Sequence, residues 1–258
     1  MAVMALCAVL GIAVPILLSW WIIKKYNVRP LTIIIGALVF VVFALVLEPI
    51  LHQIVLKGPH GPVITGNILY YALYGGLAAG IFEETGRFLA MKFLLKREPS
   101  SAITGVGYGL GHGGAEMLII FGVTMLSNIA ISAMINAGQI DTVLASVPAE
   151  NLATVQAQFD SLKDLAPGTL FIGLWERASA LILQIGLSLL VWVAVRRGGK
   201  WLWLFPAAIL LHALVDAVAV VISKTVGMVA VEIIISALAV AVGAMGWMVA
   251  KKLPVEGA

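Results

Sequence analysis

Charge is what this sequence has least of. Asp, Glu, Lys and Arg make up 11% of its 258 residues, against about 25% in soluble globular proteins. So few charges do not cover a water-facing surface, which excludes an ordinary soluble domain. Disorder is excluded too, because disordered chains are poor in apolar residues and this one is 62% apolar. Cysteine is reduced to Cys7, inside an apolar run, which excludes an intramolecular disulfide and a cysteine-based zinc site. Internal repeats, low-complexity tracts and a second domain are also missing. The net charge of +3 gains meaning only once the charges are placed along the chain, and no nucleic-acid partner is expected.

What the chain does have is long apolar runs, with a mean hydropathy of +1.08. A membrane-spanning helix needs about 20 apolar residues. The runs predict seven helices, at roughly 2–23, 31–54, 67–95, 101–135, 168–195, 201–222 and 226–250. The expected fold is therefore all-α, a polytopic membrane helical bundle forming one transmembrane domain over 1–258. The first run is followed, not preceded, by Lys24, Lys25 and Arg29, the opposite of a cleaved signal peptide. It reads as a retained first helix.

Basic residues orient the bundle. Alternate connections on one side hold eleven of the sixteen Lys and Arg residues, and those on the other hold only Lys57, Lys163 and Lys224. The positive-inside rule then puts the N-terminus outside and the C-terminus in the cytoplasm. One connection is long, about 137–167, and carries Asp141, Glu150, Asp160 and Asp164. Leu152, Val155, Phe159 and Leu162 recur in it at helical spacing. An amphipathic helix lying on the outer surface is expected, with a cap over an intramembrane site as the functional alternative.

Seven of the thirteen acids fall inside spans: Glu48, Glu83, Glu84, Glu116, Glu176, Asp216 and Glu232. Each costs about 2.5–3.5 kcal/mol at a helix centre on insertion scales, so each is a functional candidate. His112 and His212 join them. Glu83 and Arg87, His112 and Glu116, and His212 and Asp216 are i,i+4 pairs, each sharing one helix face. Counted from the basic end at about 1.5 Å per residue, Glu83, Glu84, His112 and His212 all lie roughly 16–20 Å deep. Three helices thus deliver two carboxylates and two imidazoles to one level of the bilayer.

Other buried polar groups fit that level less well. Glu48 and His52 count out to the outer boundary and read as interfacial. Glu232 lies a few residues into the last helix, near the outer headgroups. Glu176 and Arg177 read as a structural ion pair with the Glu83–Arg87 group. The glycine-rich run from Gly105 to Gly114 is no nucleotide loop, because no strand precedes it. Gly105, Gly109 and Gly113 instead form a small-xxx-small face for close helix approach.

A Glu beside a His can hold and deprotonate a water. Arg87 would keep one carboxylate ionised, and His212, positioned by Asp216, would donate to the oxyanion of a tetrahedral intermediate. Peptide-bond hydrolysis in the membrane needs no more than this. Two His and a Glu are also the common ligand set of hydrolytic zinc. However, HExxH is absent, and His112 and Glu116 stand in the reverse order, so the metal-free reading leads and no cofactor is expected.

The motifs Glu83-Glu84-Thr85-Gly86-Arg87, Tyr108-x-x-x-His112 and His212-x-x-x-Asp216 resemble the three-part signature of the glutamic-type intramembrane proteases. That group includes the CAAX prenyl-protease and PrsW families. The Gly-His-Gly-Gly-x-Glu segment ending at Glu116 looks like the bacterial YhfC branch. The resemblance covers the third to sixth helices. It implies that Glu83 or Glu84 activates water with His112, that His212 and Asp216 shape the oxyanion side, and that Arg87 orients the carboxylates. It also implies a transmembrane or lipid-modified peptide substrate, contact with membrane lipid and a bacterial plasma membrane location. The spacing departs from the CAAX pattern, with two residues rather than three between the Glu pair and Arg87. Tyr108 replaces a Phe, and Glu116 has no counterpart in the CAAX enzymes.

Two other functions stay open on the sequence. Buried Glu, His and Asp also build proton relays, although no inverted repeat of the transporter kind is present. A non-catalytic scaffold or immunity protein would keep the fold without needing the cluster.

Overall fold

The structure, a computed structural model, describes residues 1–163 and 165–253. Asp164, expected in the long outer connection, lies outside the described residues. Among these residues there are helices and turns and no strand. Eight long helices follow one another: α1 (Ala2–Tyr26), α2 (Pro30–Leu56), α3 (Ile68–Leu89), α4 (Ala102–Asn136), α5 (Ala149–Lys163), α6 (Pro167–Arg197), α7 (Gly199–Ile222) and α8 (Met228–Ala250). The chain is an all-α, polytopic integral membrane protein. Six of these helices are long and apolar enough to cross a membrane: α1, α2, α4, α6, α7 and α8. The remaining expected span, α3, carries Glu83, Glu84 and Arg87, but these are buried. Its exposed face is Leu69, Tyr70, Leu73, Leu77 and Ile81, which suits lipid.

Local chemistry sets the helix ends. Asn67 caps α3, its side-chain oxygen accepting from the backbone N–H of Leu69 at 2.9 Å and of Tyr70 at 3.3 Å. Ser101 caps α4 by accepting from Thr104 N–H at 3.2 Å. Side-chain oxygens are well suited to these otherwise unpaired N–H groups. Pro30 and Pro167 open α2 and α6, where a missing N–H is harmless. The basic end is tied together by its own cations. Arg29 bonds Glu98 at 3.0 Å, and Arg196 donates to the carbonyls of Leu95 (2.6 Å) and Glu98 (2.7 Å).

The axis of the bundle is α6. In its most apolar stretch 72% of residues are buried, against 17–28% for the other five apolar helices. Leu187, Val191, Trp192 and Val193 are sealed from solvent entirely. Around α6 stand α4, α7 and α8; α2 backs α4 and α3 packs on α7. The glycine face expected on α4 is real, and its partner is α6. A Cβ at Gly109 would lie 2.7 Å from the Cα of Ile185, and Gly105 and Gly113 meet Trp192 and Gln184. The opposite side of α4 is as tight, since a Cβ at Gly111 would fall 2.0 Å from the Ile33 carbonyl oxygen of α2. Helix α4 is thus clamped between α2 and α6, fixing the depth and rotation of His112.

Three stretches widen to i→i+5 hydrogen bonding: Phe40–Leu47 in α2, Ala90–Leu94 after α3 and Met117–Val123 in α4. Such insertions are rare and concentrate at functional sites. One follows Glu116 directly, and one begins at Phe40, whose ring stands edge-on to His112 at 5.4 Å.

The long connection forms two helices, Ile140–Ala145 and α5. Of the apolar stripe in α5, Phe159 is buried, Leu162 packs on the Met4–Cys7–Phe121 cluster, and Leu152 is exposed. Helix α5 rests on α4 and contributes no residue to the large cavity described below.

Candidate active site

The third, fourth, sixth and seventh helices converge where their polar residues meet. Glu83 (7% exposed), Glu84 (0%), Arg87 (0%), His112 (0%) and His212 (3%) form one buried group. The shared level expected from residue counting is therefore a shared site, and its internal wiring separates the two glutamates.

Glu83 of α3 faces α4. Its Oε2 lies 2.8 Å from His112 Nε2 and accepts from Gln184 Nε2 at 3.0 Å. His112 Nδ1 is buried without a partner, so a neutral ring carries its proton on Nε2 and donates to Glu83. Oε1 of Glu83 takes part in none of these bonds. Glu84 faces α7. Arg87 Nη1 donates to both of its oxygens, at 2.8 and 2.9 Å, and His212 Nδ1 lies 2.9 Å from Oε1. Two carboxylate–imidazole pairs therefore stand side by side, Glu83–His112 and Glu84–His212.

A cavity of about 520 Å³ shows which member of each pair is presented. Glu83 and His212 line it; Glu84 and His112 do not. One front carboxylate is backed by a buried imidazole, and one front imidazole is backed by a buried carboxylate. With Nδ1 tied to Glu84, His212 keeps Nε2 for whatever enters.

Gln184 of α6 links these pairs. It donates to Glu83 and to Glu116 Oε2 (2.9 Å) and accepts from Arg87 Nη2. Sequence reasoning missed it because it carries no charge. The available signal was an amide alone between Arg177 and Arg196, in an otherwise apolar stretch relieved only by Ser179 and Ser188. Glu116 is further held by Arg177 at 2.8 Å, and Arg177 also pairs with Glu176.

Several expected partnerships differ. Arg87 serves Glu84, three residues away, and not Glu83 one turn on, because the Glu83 carboxylate is turned to α4. Arg177 pairs with Glu116, not with the Glu83–Arg87 group, because α6 meets α4 at that height. Asp216 lies 3.6 Å from His212 Nε2, beyond hydrogen-bond length, and lines the cavity; the ring's orienting carboxylate is Glu84. Glu48 and His52 form their own cluster, 3.1 Å apart, with His52 Nδ1 2.8 Å from the Tyr74 hydroxyl. Glu232, expected near headgroups, is buried and lines the cavity.

A hydrolytic zinc needs three side-chain donors about 2.0–2.2 Å from a common point, with one position left open. Among the described residues no three His, Cys, Asp or Glu side chains are disposed to hold an ion. The network explains this. His112 Nε2 and Glu83 Oε2 point at each other, His212 Nδ1 points at Glu84, and both Glu84 oxygens are taken by Arg87. The donor types suit zinc; their arrangement does not.

Comparison with known proteins bears on the same residues. Residues 10–240 match the family model described as YhfC intramembrane metalloprotease. The chain is 37% identical over 240 residues to the "Uncharacterized membrane protein YhfC" of Bacillus subtilis (strain 168), covering 92% of this chain and 91% of that one. No solved structure matches it.

Proposed function

For a chain that belongs to the YhfC intramembrane metalloprotease family, we propose that it hydrolyses a peptide bond of a membrane-embedded or lipid-modified substrate, with water activated by Glu83. The observation that carries this reading is the cavity lined by one carboxylate and one imidazole, each braced from behind by its complement. The family description names a metal, but the donor arrangement among the described residues does not fit one. The N-terminus outside and the C-terminus in the cytoplasm remain part of the proposal, as does α3 as a seventh span.

The chemistry follows from the atoms presented. A water bound at Glu83 Oε1 gives its proton to the carboxylate as its oxygen bonds the scissile carbonyl carbon. The carbonyl electron pair moves to the oxygen, and His212, protonated at both nitrogens with its Nδ1–H held by Glu84, donates its Nε2–H to that oxyanion. His112 donates to Oε2 throughout and leaves Oε1 free to act as base. The proton taken by Glu83 then passes to the amide nitrogen, the C–N bond breaks, and the products are a carboxylic acid and an amine. Gln184 and Arg87 fix both carboxylates, so little reorganises during reaction.

The test is cleavage of transmembrane peptides by purified protein in lipid nanodiscs. His212→Ala is expected to lower turnover by about a hundredfold, the size typical of losing one oxyanion donor, with KM little changed. Unchanged turnover would remove His212 from the reaction. Proton flux in vesicles without any proteolysis would favour the transporter reading.

A further inference from the structure

The cavity does not end at Glu83 and His212. Along α7 it is lined from His212 to Ser223, and along α6 from Gln184 back to Thr169. These stretches span about 16 and 22 Å at 1.5 Å per residue. The cavity therefore reaches the ends of α6 and α7 that meet the start of α8. This is the Lys- and Arg-poor end of the bundle.

Charge along the cavity is lopsided. Glu83, Glu116, Glu176, Asp216 and Glu232 line it, with Arg177 and His212 as the basic groups. Arg177 is already engaged by Glu116 and Glu176, and His212 is tied to Glu84. Glu232 lies within electrostatic reach of Arg177 but shares no hydrogen bond or ion pair with it. It is 7% exposed, its Oε2 is buried without a hydrogen-bond partner, and it lines the cavity. The helix dipole gives no sufficient reason for it, because that effect fades within the first turn and Glu232 is the fifth residue of α8. An unsatisfied buried carboxylate in a membrane protein is costly to maintain, which points to a partner that arrives with the substrate.

We infer that Glu232, with Asp216 and Glu176, forms a subsite for a cationic side chain of the substrate, a Lys or Arg within about five residues of the scissile bond. The reach follows from the roughly 16 Å between His212 and the cavity end, divided by the rise of an extended chain. A Lys ammonium or Arg guanidinium entering there would pair with Glu232 and offset the excess of carboxylates. The inference rests on the cavity being the place where substrate binds, as proposed above.

The probes are single-span Leu/Ala peptides, acetylated at the N-terminus and differing in one near-terminal residue: Lys, Arg, Gln or Glu. Binding is measured by fluorescence polarisation to the full-length Glu83→Gln protein in nanodiscs, and cleavage by mass spectrometry with the unmodified protein. Lys and Arg peptides are expected to bind about tenfold or more tightly than the Gln peptide, the range of one charged hydrogen bond. Adding Glu232→Gln should erase that preference, and Glu232→Lys should shift it to the Glu peptide. Equal binding of Lys and Gln peptides by protein retaining Glu232 would overturn the subsite without relying on any Glu232 variant. A preference appearing only with unacetylated peptides would also overturn it, since the cation would then be the chain terminus. Cleavage without charge preference would sink the subsite and leave the protease. Charge preference without cleavage of any peptide would do the reverse.

Discussion

Glu83→Gln is expected to abolish proteolysis, lowering turnover by about a thousandfold, within the range for loss of a general base. Glu84→Gln should fall less, by about ten- to a hundredfold, the range for outer-shell carboxylates that hold a metal-bound histidine in place. The two residues are neighbours in sequence and identical in type, so chemistry by residue type alone predicts equal losses. The structure separates them, because Glu83 lines the cavity and Glu84 sits behind His212, fully buried and held by Arg87. The comparison needs both variants purified to the same monodispersity and assayed on one transmembrane peptide. A larger loss at Glu84 would reverse the assignment of front and back groups.

Arg87→Met should be the most destabilising single change in the site. Arg87 is completely buried, donates to both oxygens of Glu84 and reaches Gln184. Removing it leaves a carboxylate in the bundle interior with one imidazole for company. Breaking a buried ion pair from one side costs about 3–5 kcal/mol, enough to deplete folded protein in the membrane. The double variant Arg87→Met with Glu84→Gln removes both charges and should recover much of that stability, without recovering full activity. Thermal unfolding in detergent read by fluorescence checks both statements. If the double variant were no more stable than Arg87→Met alone, the charge argument would fail and lost packing would account for the effect.

Much of this protein was legible from residue order. The apolar runs marked the long helices to within a few residues, because a bilayer demands long uninterrupted apolar stretches. The depth of Glu83, Glu84, His112 and His212 followed from counting, since rise per residue is fixed. The glycine face at Gly105, Gly109 and Gly113 was visible as a spacing. Its partner, α6, was not.

What residue order concealed is everything that depends on helix rotation. Two adjacent glutamates point about 100° apart on a helix, and nothing in their spacing says which of them faces the cavity. Pairing by i,i+4 arithmetic joined Glu83 to Arg87 and His212 to Asp216, because it sees only partners on one helix. The stronger bonds are those between helices, Glu83 to His112 and Glu84 to His212. Gln184 escaped notice because a search for charge passes over an amide. Glu232 was correctly placed near the start of its helix, yet it is buried, because α6 and α7 extend alongside it.

The central claim is that Glu83 and a water, braced by His112 and faced by His212, suffice for peptide hydrolysis. The most direct measurement is cleavage of one transmembrane peptide by purified protein before and after exhaustive chelation, with metal content determined in the same samples. Undiminished cleavage at far less than one metal per chain is the predicted result. Loss of cleavage in step with metal removal, restored by adding zinc, would contradict it.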